Sequence, residues 1–311
     1  LRLLKMKFNS SLSFYLFRLV AFIFILASLV TFEAFANSHE YTLANGLKII
    51  VKEDHRSPVV ISQIWYKAGS IDELNGTTGV AHVLEHMMFK GTRNVNKGEF
   101  SKKIAAVGGR DNAFTSRDYT GYFQQLHKSD LALAMKLEAD RMRNLVLTKE
   151  EFAKEIKVVM EERRLRTDDQ PHALLYEKIM SVAYQSHPYR RPIVGWMNDL
   201  ENMSVVDAKE WYDRWYAPNN AVLVVVGDVD PKEVYSLAQK YYGEIKSRPI
   251  VSLALRKPQK EILQTGIKRI QVKAPAKMPY LIMGYHAPTL HDVDNDWEPD
   301  ALEMLVGVLD G

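Results

Sequence analysis

The segment from residue 79 to residue 89 constrains this chain more than any other, because it carries two histidines and a carboxylate at helical spacing within an apolar run. His82 and His86 are four residues apart, so both imidazoles leave the same face of a helix and can bind one small cation. Glu85 lies beside them on that face and can reach a water molecule without being a ligand, which metal-assisted hydrolysis requires. The pattern therefore predicts a metal-binding helix.

The other residues of this helix are almost all apolar, which predicts a helix that is buried on nearly every side. They are Val80, Val83, Leu84, Met87, Met88 and Phe89. Leaving one polar group unpaired in such surroundings costs roughly 2 to 7 kcal/mol, so the two imidazoles and the carboxylate need partners. A metal ion would satisfy them. The alternative is a pair of core histidines that hydrogen-bond the backbone.

A third metal ligand is expected on the long helix predicted from Lys149 to Arg166, which carries five glutamates. Its buried stripe is formed by apolar residues at helical spacing, namely Phe152, Ile156 and Val159. Glu155 and Glu162 lie on the flank of that stripe, whereas Glu161 lies on the solvated face. We therefore predict that Glu162 is the third ligand and that Glu155 supports a ligand from behind. Surface salt bridges for all five glutamates are the alternative.

Composition excludes several classes of protein. With 311 residues, of which 47% are hydrophobic and 25% charged, the chain suits a globular protein of one large or two ordinary domains and not a disordered or fibrous one. It has no cysteine, which excludes thiolate zinc ligands, disulfides and cysteine nucleophiles. Strand-like and helical stretches follow one another in mixed order, from a hairpin around Asn45-Gly46 to a buried strand at Ala221–Val226. This order predicts a layered α+β fold.

The first 36 residues have the pattern of a secretory signal peptide, with an apolar run from Leu19 to Thr31 before the cleavage motif Ala34-Phe35-Ala36. The run is shorter than the roughly 20 apolar residues that span a bilayer. We therefore expect cleavage and export, to the periplasm of a Gram-negative cell or otherwise by secretion, with a retained membrane anchor as the alternative. The formal net charge of +3 equals that of this leader, which holds Arg2, Lys5, Lys7 and Arg18 against Glu33. The balanced remainder gives no reason to expect binding to nucleic acid or to an anionic membrane.

The motif His82-x-x-Glu85-His86, with Glu162 76 residues after His86, resembles the inverted-motif zinc peptidases of the pitrilysin, insulinase and mitochondrial-processing-peptidase family. Further matching motifs extend over nearly all of the chain after the leader: Gly108–Thr115, His187-Pro188-Tyr189, Tyr216–Asn220 and Gly227-Asp228. The resemblance implies a two-layer α+β half-domain of the processing-peptidase type, with a mixed, largely antiparallel sheet and packed helices. It also implies that a second, homologous half without zinc follows.

A weak internal repeat agrees with this organisation in two halves. The segment Ile64–Ser70 is echoed by Met283–Thr289, which predicts a strand at 280–285, and the metal-binding helix is echoed by Ala301–Val306. In that register the histidines and the carboxylate of the motif are replaced by Leu302, Leu305 and Val306. The second half would thus keep the helix and lose the chemistry.

The chain is therefore predicted to fall into four parts. These are a signal peptide at 1–36, a catalytic zinc peptidase domain at 37–246, a linker at 247–275 and the beginning of a second, non-catalytic domain at 276–311. The last part stops early in its half, as it would in a piece of a longer protein.

By this resemblance the chain is expected to be a zinc-dependent endopeptidase that hydrolyses peptides or unfolded polypeptide segments. One Zn²⁺ per chain would be bound by His82, His86 and Glu162, with Glu85 as the general base. The alternative is a non-catalytic binding or scaffold subunit of a two-chain processing peptidase. Such a subunit has no need to retain all four residues, which argues against it.

The resemblance also implies how a peptide substrate is held and which partners to expect. The segment from Asp111 to Thr115 matches the family's strand that pairs with the substrate backbone, so a peptide would add as a further strand along Asn112, Ala113 and Phe114. An ordinary internal strand is the alternative. A homodimer, or a heterodimer with a homologous chain, is expected, with no nucleic acid and no stable membrane anchor after cleavage.

Overall fold

The computed structural model describes residues 38–249 and 261–310. Within these ranges six strands form one sheet: β1 (Ser38–Thr42), β2 (Lys48–Glu53), β3 (Val59–Tyr66), β4 (Arg110–Thr115), β5 (Thr120–His127) and β6 (Ala221–Gly227). The predicted signal peptide at 1–36 and part of the predicted linker at 247–275 lie outside the described residues.

Nine α-helices lie in the same ranges: α1 (Val80–Met87), α2 (Glu99–Ala106), α3 (Leu131–Asn144), α4 (Lys149–Arg163), α5 (Pro171–Ala183), α6 (Met197–Asn202), α7 (Val205–Trp215), α8 (Pro231–Tyr242) and α9 (Glu298–Asp310). The segment Arg164–Asp168 continues α4 as a π-helical turn. Short 3₁₀ turns are formed by Ser70–Asp72, Lys128–Asp130, Pro188–Arg190 and Pro218–Asn220. Helix and strand together make an α+β fold, as predicted.

The strand order β1-β2-β6-β3-β5-β4 makes the sheet mixed and largely antiparallel. Only β2 and β6 run parallel, and every other neighbouring pair is antiparallel. β4 lies at one edge and pairs with β5, from Arg110 opposite Gln125 to Thr115 opposite Thr120. No strand among residues 38–249 and 261–310 covers its other edge, so that edge is open for pairing.

The sheet is amphipathic because its central strands alternate with the period of two that a pleated strand requires. In β3, the residues Val60, Ser62, Ile64 and Tyr66 are buried and their neighbours are half-buried. The buried face packs against α3 and α8 and forms the hydrophobic core with them. Helix α1 lies among α4, α7 and β4. It is buried on nearly every side, as its sequence predicts.

The segment 261–310 departs from the prediction. The predicted strand at 280–285 is wrong, since these residues have no regular structure. A strand needs a neighbour for its N–H and C=O groups, and none of the described strands lies beside this segment. Helix α9 includes the predicted helical residues 301–306, but none of its side chains is buried. The boundaries of the predicted domains stay a prediction.

The short helix α6 was not predicted, because its six residues are too few to show a helical period. Across the described residues, no helix combines the length and the apolar character needed to cross a membrane.

Candidate metal centre

Helix α1 begins after Gly79, and its first turn is capped by the buried carboxylate of Glu73. Glu73 Oε2 accepts a hydrogen bond from the N–H of Gly79 at 2.8 Å, and Oε1 accepts one from the N–H of Ala81 at 3.0 Å. Helix N-termini leave such N–H groups without partners in the helix itself. Burial raises the pKa of Glu73 to about 8, although the two hydrogen bonds act in the opposite direction.

The loop after α5 and the short helix α6 also hold the start of α1. Thr78 Oγ1 donates to Asp199 Oδ2 at 2.6 Å and accepts from the N–H of Trp196 at 2.9 Å. Gly195 packs against Gly79, and both have positive φ. A Cβ on Gly195 would lie 2.3 Å from the Thr78 carbonyl oxygen, so only glycine fits this contact.

The same loop contacts the end of α4, next to the third candidate ligand. Arg163 follows Glu162 and donates to the two carboxylate oxygens of Glu177 at 2.8 and 3.0 Å. It also donates to the carbonyl oxygen of Gly195 at 2.9 Å. Since Gly195 packs against Gly79, the loop links the helix that carries both histidines to the helix that carries Glu162.

The structure brings His82, His86 and Glu162 together, with one ligand atom of each within 4.8 Å of the others. Nε2 of His86 is 3.3 Å from Oε2 of Glu162, and Nε2 of His82 is 3.7 Å from Oε1 of Glu162. Tetrahedral zinc bonds of about 2.0–2.1 Å place ligand atoms about 3.3 Å apart, so this spacing fits a zinc ion. Two imidazoles and one carboxylate are also a donor set that zinc accepts, with a fourth position left for water or substrate.

The surroundings of both imidazoles suit metal binding. Nδ1 of His86 is 3.0 Å from Oε1 of Glu155, which places the proton on Nδ1 and leaves Nε2 as the ligand atom. The other carboxylate oxygen of Glu155 is 2.6 Å from Nζ of Lys90. Burial lowers the pKa of His82 to about 3, and the neighbouring His86 acts in the same direction. The His82 Nδ1 is buried and has no hydrogen-bond partner among the described residues.

Glu85 lies beside these three residues but does not belong to the converging set of ligand atoms. Its Oε2 accepts a hydrogen bond from Oγ1 of Thr115, the last residue of β4, at 2.5 Å. Burial raises the pKa of Glu85, and the Thr115 hydroxyl acts against that shift. The sequence does not indicate this contact, because a contact between residues 30 apart leaves no periodic signal.

Two arginines at the end of α4 distinguish the neighbouring glutamates. Arg164 pairs with Glu161 at 3.1 Å on the solvated face, as the helical phase predicts. Arg166 lies in the π-helical turn, and its Nη1 is 2.6 Å from Oε1 of Glu162. Since its side chain is 77% exposed, Arg166 approaches the candidate ligand from the solvent side. The spacing of four residues places Arg166 on the same helical face as Glu162, which allows this contact.

The residues predicted to bind substrate lie on the edge strand β4. Asn112 is exposed, and Ala113 is half-buried against the core. The Phe114 ring lies edge-on to Trp65, with the ring centroids 5.0 Å apart. The N–H of Ala113 donates to the adjacent Asn112 Oδ1 at 2.9 Å. A backbone donor on this strand is thus held by a side chain that can move aside.

Two family models match the chain. One, described as insulinase (peptidase family M16), matches residues 48–196. The other, described as the peptidase M16 inactive domain, matches residues 202–311. The three converging ligands and Glu85 all fall within the first match.

Individual proteins that resemble this chain indicate the same family. Zinc protease PqqE of Helicobacter pylori is 35% identical over 280 residues, which cover 88% of this chain and 62% of that protein. A solved protease structure from Helicobacter pylori has a TM-score of 0.70 at 37% identity, over 73% of this chain and 55% of that one. The first half of the periplasmic protease PqqL from Escherichia coli shares the fold, with a TM-score of 0.67 at 24% identity over 73% and 49% of the two chains. The chain therefore spans less than two thirds of the length of these proteins.

Proposed function

Since the chain belongs to the insulinase family, peptidase family M16, we propose that it is a zinc-dependent endopeptidase with Glu85 as its general base. The observation that carries the proposal is the set formed by the His82 and His86 imidazoles and the Glu162 carboxylate, with the half-buried carboxylate of Glu85 next to it. The family expected from the sequence motifs is confirmed. The name zinc protease, which several relatives carry, supports metallopeptidase activity.

One zinc ion per chain would be held by His82, His86 and Glu162, and it supplies a Lewis acid that polarises a carbonyl and lowers the pKa of a water molecule to about 7. The protein contributes the orientation of the ligands. Glu155 fixes the ring of His86 through Nδ1, and partners of this kind change metal affinity by roughly 10- to 100-fold. The loop at Gly195 keeps the two ligand-bearing helices at a constant spacing.

Glu85 moves the proton in this proposal. Its carboxylate accepts a proton from the attacking water and returns it to the amine nitrogen as the peptide bond breaks. Burial supports both steps, because it raises the pKa of Glu85 from that of an exposed carboxyl group towards the pH at which the enzyme would operate.

We propose that a peptide binds as an additional strand along the open edge of β4. A substrate carbonyl would take the N–H of Ala113 that now donates to Asn112, and Phe114 would border the bound peptide. Backbone pairing requires an extended chain, so the substrates would be peptides or unfolded polypeptide segments. Because β4 ends at Thr115, which contacts Glu85, a peptide along this strand would reach the metal centre.

A non-catalytic binding subunit is the second candidate function. The observation that favours it is the match of residues 202–311 to a domain described as inactive. The candidate zinc residues all lie in the other match, and a subunit that only binds peptides has no need of a further carboxylate beside three ligands. We therefore favour the enzyme.

We further propose that the catalytic unit works with a second, homologous half or chain, and after export to the periplasm. The chain spans 62% of PqqE, and the apolar side chains of α9 are exposed, as expected of a surface that packs against further structure. Export is supported by the leader pattern in residues 1–36.

The proposal is tested with a library of quenched fluorescent peptides and zinc-loaded protein. We expect cleavage at internal peptide bonds, identified by mass spectrometry, that a chelator abolishes and added zinc restores. Cleavage that persists in zinc-free protein would contradict the zinc mechanism. Zinc-loaded protein that binds the peptides and leaves them intact, also when the second half or a homologous partner chain is supplied, would identify the binding subunit instead.

A further inference from the structure

The hydroxyl of Thr115 donates to Oε2 of Glu85 at 2.5 Å, and this contact connects the edge strand to the candidate general base. Among the described residues, no other side chain or backbone group hydrogen-bonds the Glu85 carboxylate. The Glu85 side chain is half-buried. Thr115 is therefore the one hydrogen-bonding residue, among those described, that orients this carboxylate.

The position of Thr115 is itself defined by the strand. In β4 alternate residues share a face, so Asp111, Ala113 and Thr115 lie on the same side of the sheet. At the other end of that face, Asp111 Oδ2 accepts a hydrogen bond from Ser101 Oγ of α2 at 2.7 Å. Helices α1 and α2 thus hold the two ends of β4 through one side-chain hydrogen bond each.

We propose that Thr115 is a positioning residue for Glu85, a role that rests on the proposed function of Glu85 as general base. By occupying Oε2, the hydroxyl leaves Oε1 as the oxygen that receives the proton. Thr115 belongs to the strand along which the peptide would bind. The same residue therefore fixes the position of Glu85 relative to the bound peptide. A group that acts through another residue needs close alignment, since a displacement of about 1 Å can cost about 100-fold in rate.

A merely structural role for Thr115 makes a different prediction. Removing the hydroxyl leaves a half-buried carboxylate without its hydrogen-bond partner, which lowers stability whatever the site does. The test therefore requires a readout that follows the orientation of Glu85 and does not follow stability. A short peptide hydroxamate is a suitable probe, because this group chelates zinc and donates a proton to an adjacent carboxylate.

Four variants decide the question. Thr115→Val keeps the shape and the β-branched character that suit a strand and removes only the hydroxyl. Thr115→Ser returns a hydroxyl at the same position. Ser101→Ala is the matched control, since it removes the hydrogen bond at the other end of β4 and leaves Glu85 untouched. Glu85→Gln gives the reference for a lost proton acceptor.

The dissociation constant of the hydroxamate is measured by calorimetry on zinc-loaded protein. We expect Thr115→Val to weaken binding by about tenfold or more, in the direction of Glu85→Gln, while Thr115→Ser recovers most of the affinity and Ser101→Ala stays within about threefold of wild type. In the peptidase assay, Thr115→Val should lower kcat and leave KM nearly unchanged, because the loss concerns the base and not substrate binding.

Hydroxamate binding to Thr115→Val within about threefold of wild type would overturn the proposal. An equal loss in Ser101→Ala would also overturn it, since the effect would then come from the anchoring of β4. Failure of the proposed function is a separate result: wild-type protein would bind zinc and hydroxamate without cleaving peptides, and the order of the variants in hydroxamate affinity would still decide the role of Thr115.

Discussion

Asp199 accepts a hydrogen bond from the hydroxyl of Thr78 at 2.6 Å and so joins two segments that lie 121 residues apart in the sequence. The same carboxylate oxygen accepts from the N–H groups of Thr78 and Gly76, each at 3.2 Å. Asp199 therefore holds the chain just before α1, the helix that carries both candidate histidine ligands. A residue of α6 thus holds the start of the helix that carries two of the three candidate ligands.

The first prediction concerns Asp199→Ala, which leaves the buried donors around Thr78 without a partner. At about 1–3 kcal/mol for each of the two buried Thr78 donors, its N–H and its hydroxyl, we expect the free energy of unfolding to fall by about 2 kcal/mol or more. Zinc should also stabilise the variant less than wild type, because the histidine-bearing helix is no longer held. Urea unfolding with and without zinc measures both effects.

The matched control is Asp213→Ala. It changes a surface aspartate paired with Lys209 and should alter the free energy of unfolding by less than about 0.5 kcal/mol. If zinc raised the free energy of unfolding of Asp199→Ala as much as that of wild type, Asp199 would stabilise the fold without affecting metal binding.

The second prediction compares two adjacent glutamates on α4. Glu162→Gln should weaken zinc binding by more than the roughly 10- to 100-fold that is typical of residues behind a ligand, because a ligand itself is lost. Glu161→Gln removes only an exposed pair with Arg164 and should leave the affinity within about threefold of wild type. Competition with a chromophoric chelator gives both values. Equal losses in the two variants would show that helical phase does not select the ligand.

The third prediction concerns the pH dependence of stability that Glu73 causes. Burial raises its pKa from 4.5 to about 8 in the folded protein. Between these two pH values the unfolded chain releases the proton and the folded chain keeps it, so the free energy of unfolding falls as the pH rises. The slope is at most about 1.4 kcal/mol per pH unit.

Glu73→Gln removes this titration and keeps the other ionisable groups. We expect the free energy of unfolding of wild type, measured relative to that of the variant, to fall from pH 5 to pH 8. Above the folded-state pKa the difference should become constant. Urea unfolding of both proteins at several pH values measures it. Parallel curves over this range would rule out a raised pKa at Glu73.

The fourth prediction concerns substrate binding along β4. Ala113→Pro removes the N–H that we propose a substrate carbonyl takes, so KM should rise several-fold or cleavage should be lost while bound zinc remains. Ala113→Gly keeps the N–H and is the control. Peptide kinetics together with metal content give the answer. Unchanged kinetics in Ala113→Pro would exclude backbone pairing at this position.

Local patterns in the sequence predicted most of the fold, because helical and strand periods depend on neighbouring residues. The phase of α4 predicted Glu161 on the solvated face, where it pairs with Arg164, and the structure brings Glu162 to the two histidines; the role of Glu162 as a ligand stays a prediction. The predicted strand at 280–285 was wrong, since a local tendency forms no strand without a neighbour. The residues that hold the site in place were missed for a related reason. Thr115 and Asp199 act across 30 and 121 residues of sequence, and such contacts appear only in the folded chain.

The central claim is that Glu85 moves a proton and does not bind the metal, and one measurement on Glu85→Gln tests it most directly. Zinc content per chain and peptide turnover are determined on the same purified sample, beside wild type. We expect one zinc per chain in both proteins, and turnover lower in the variant by about 10²- to 10⁴-fold, the usual contribution of a general base. Loss of zinc together with activity would show that Glu85 is a ligand, and turnover equal to that of wild type would show that it is not the base.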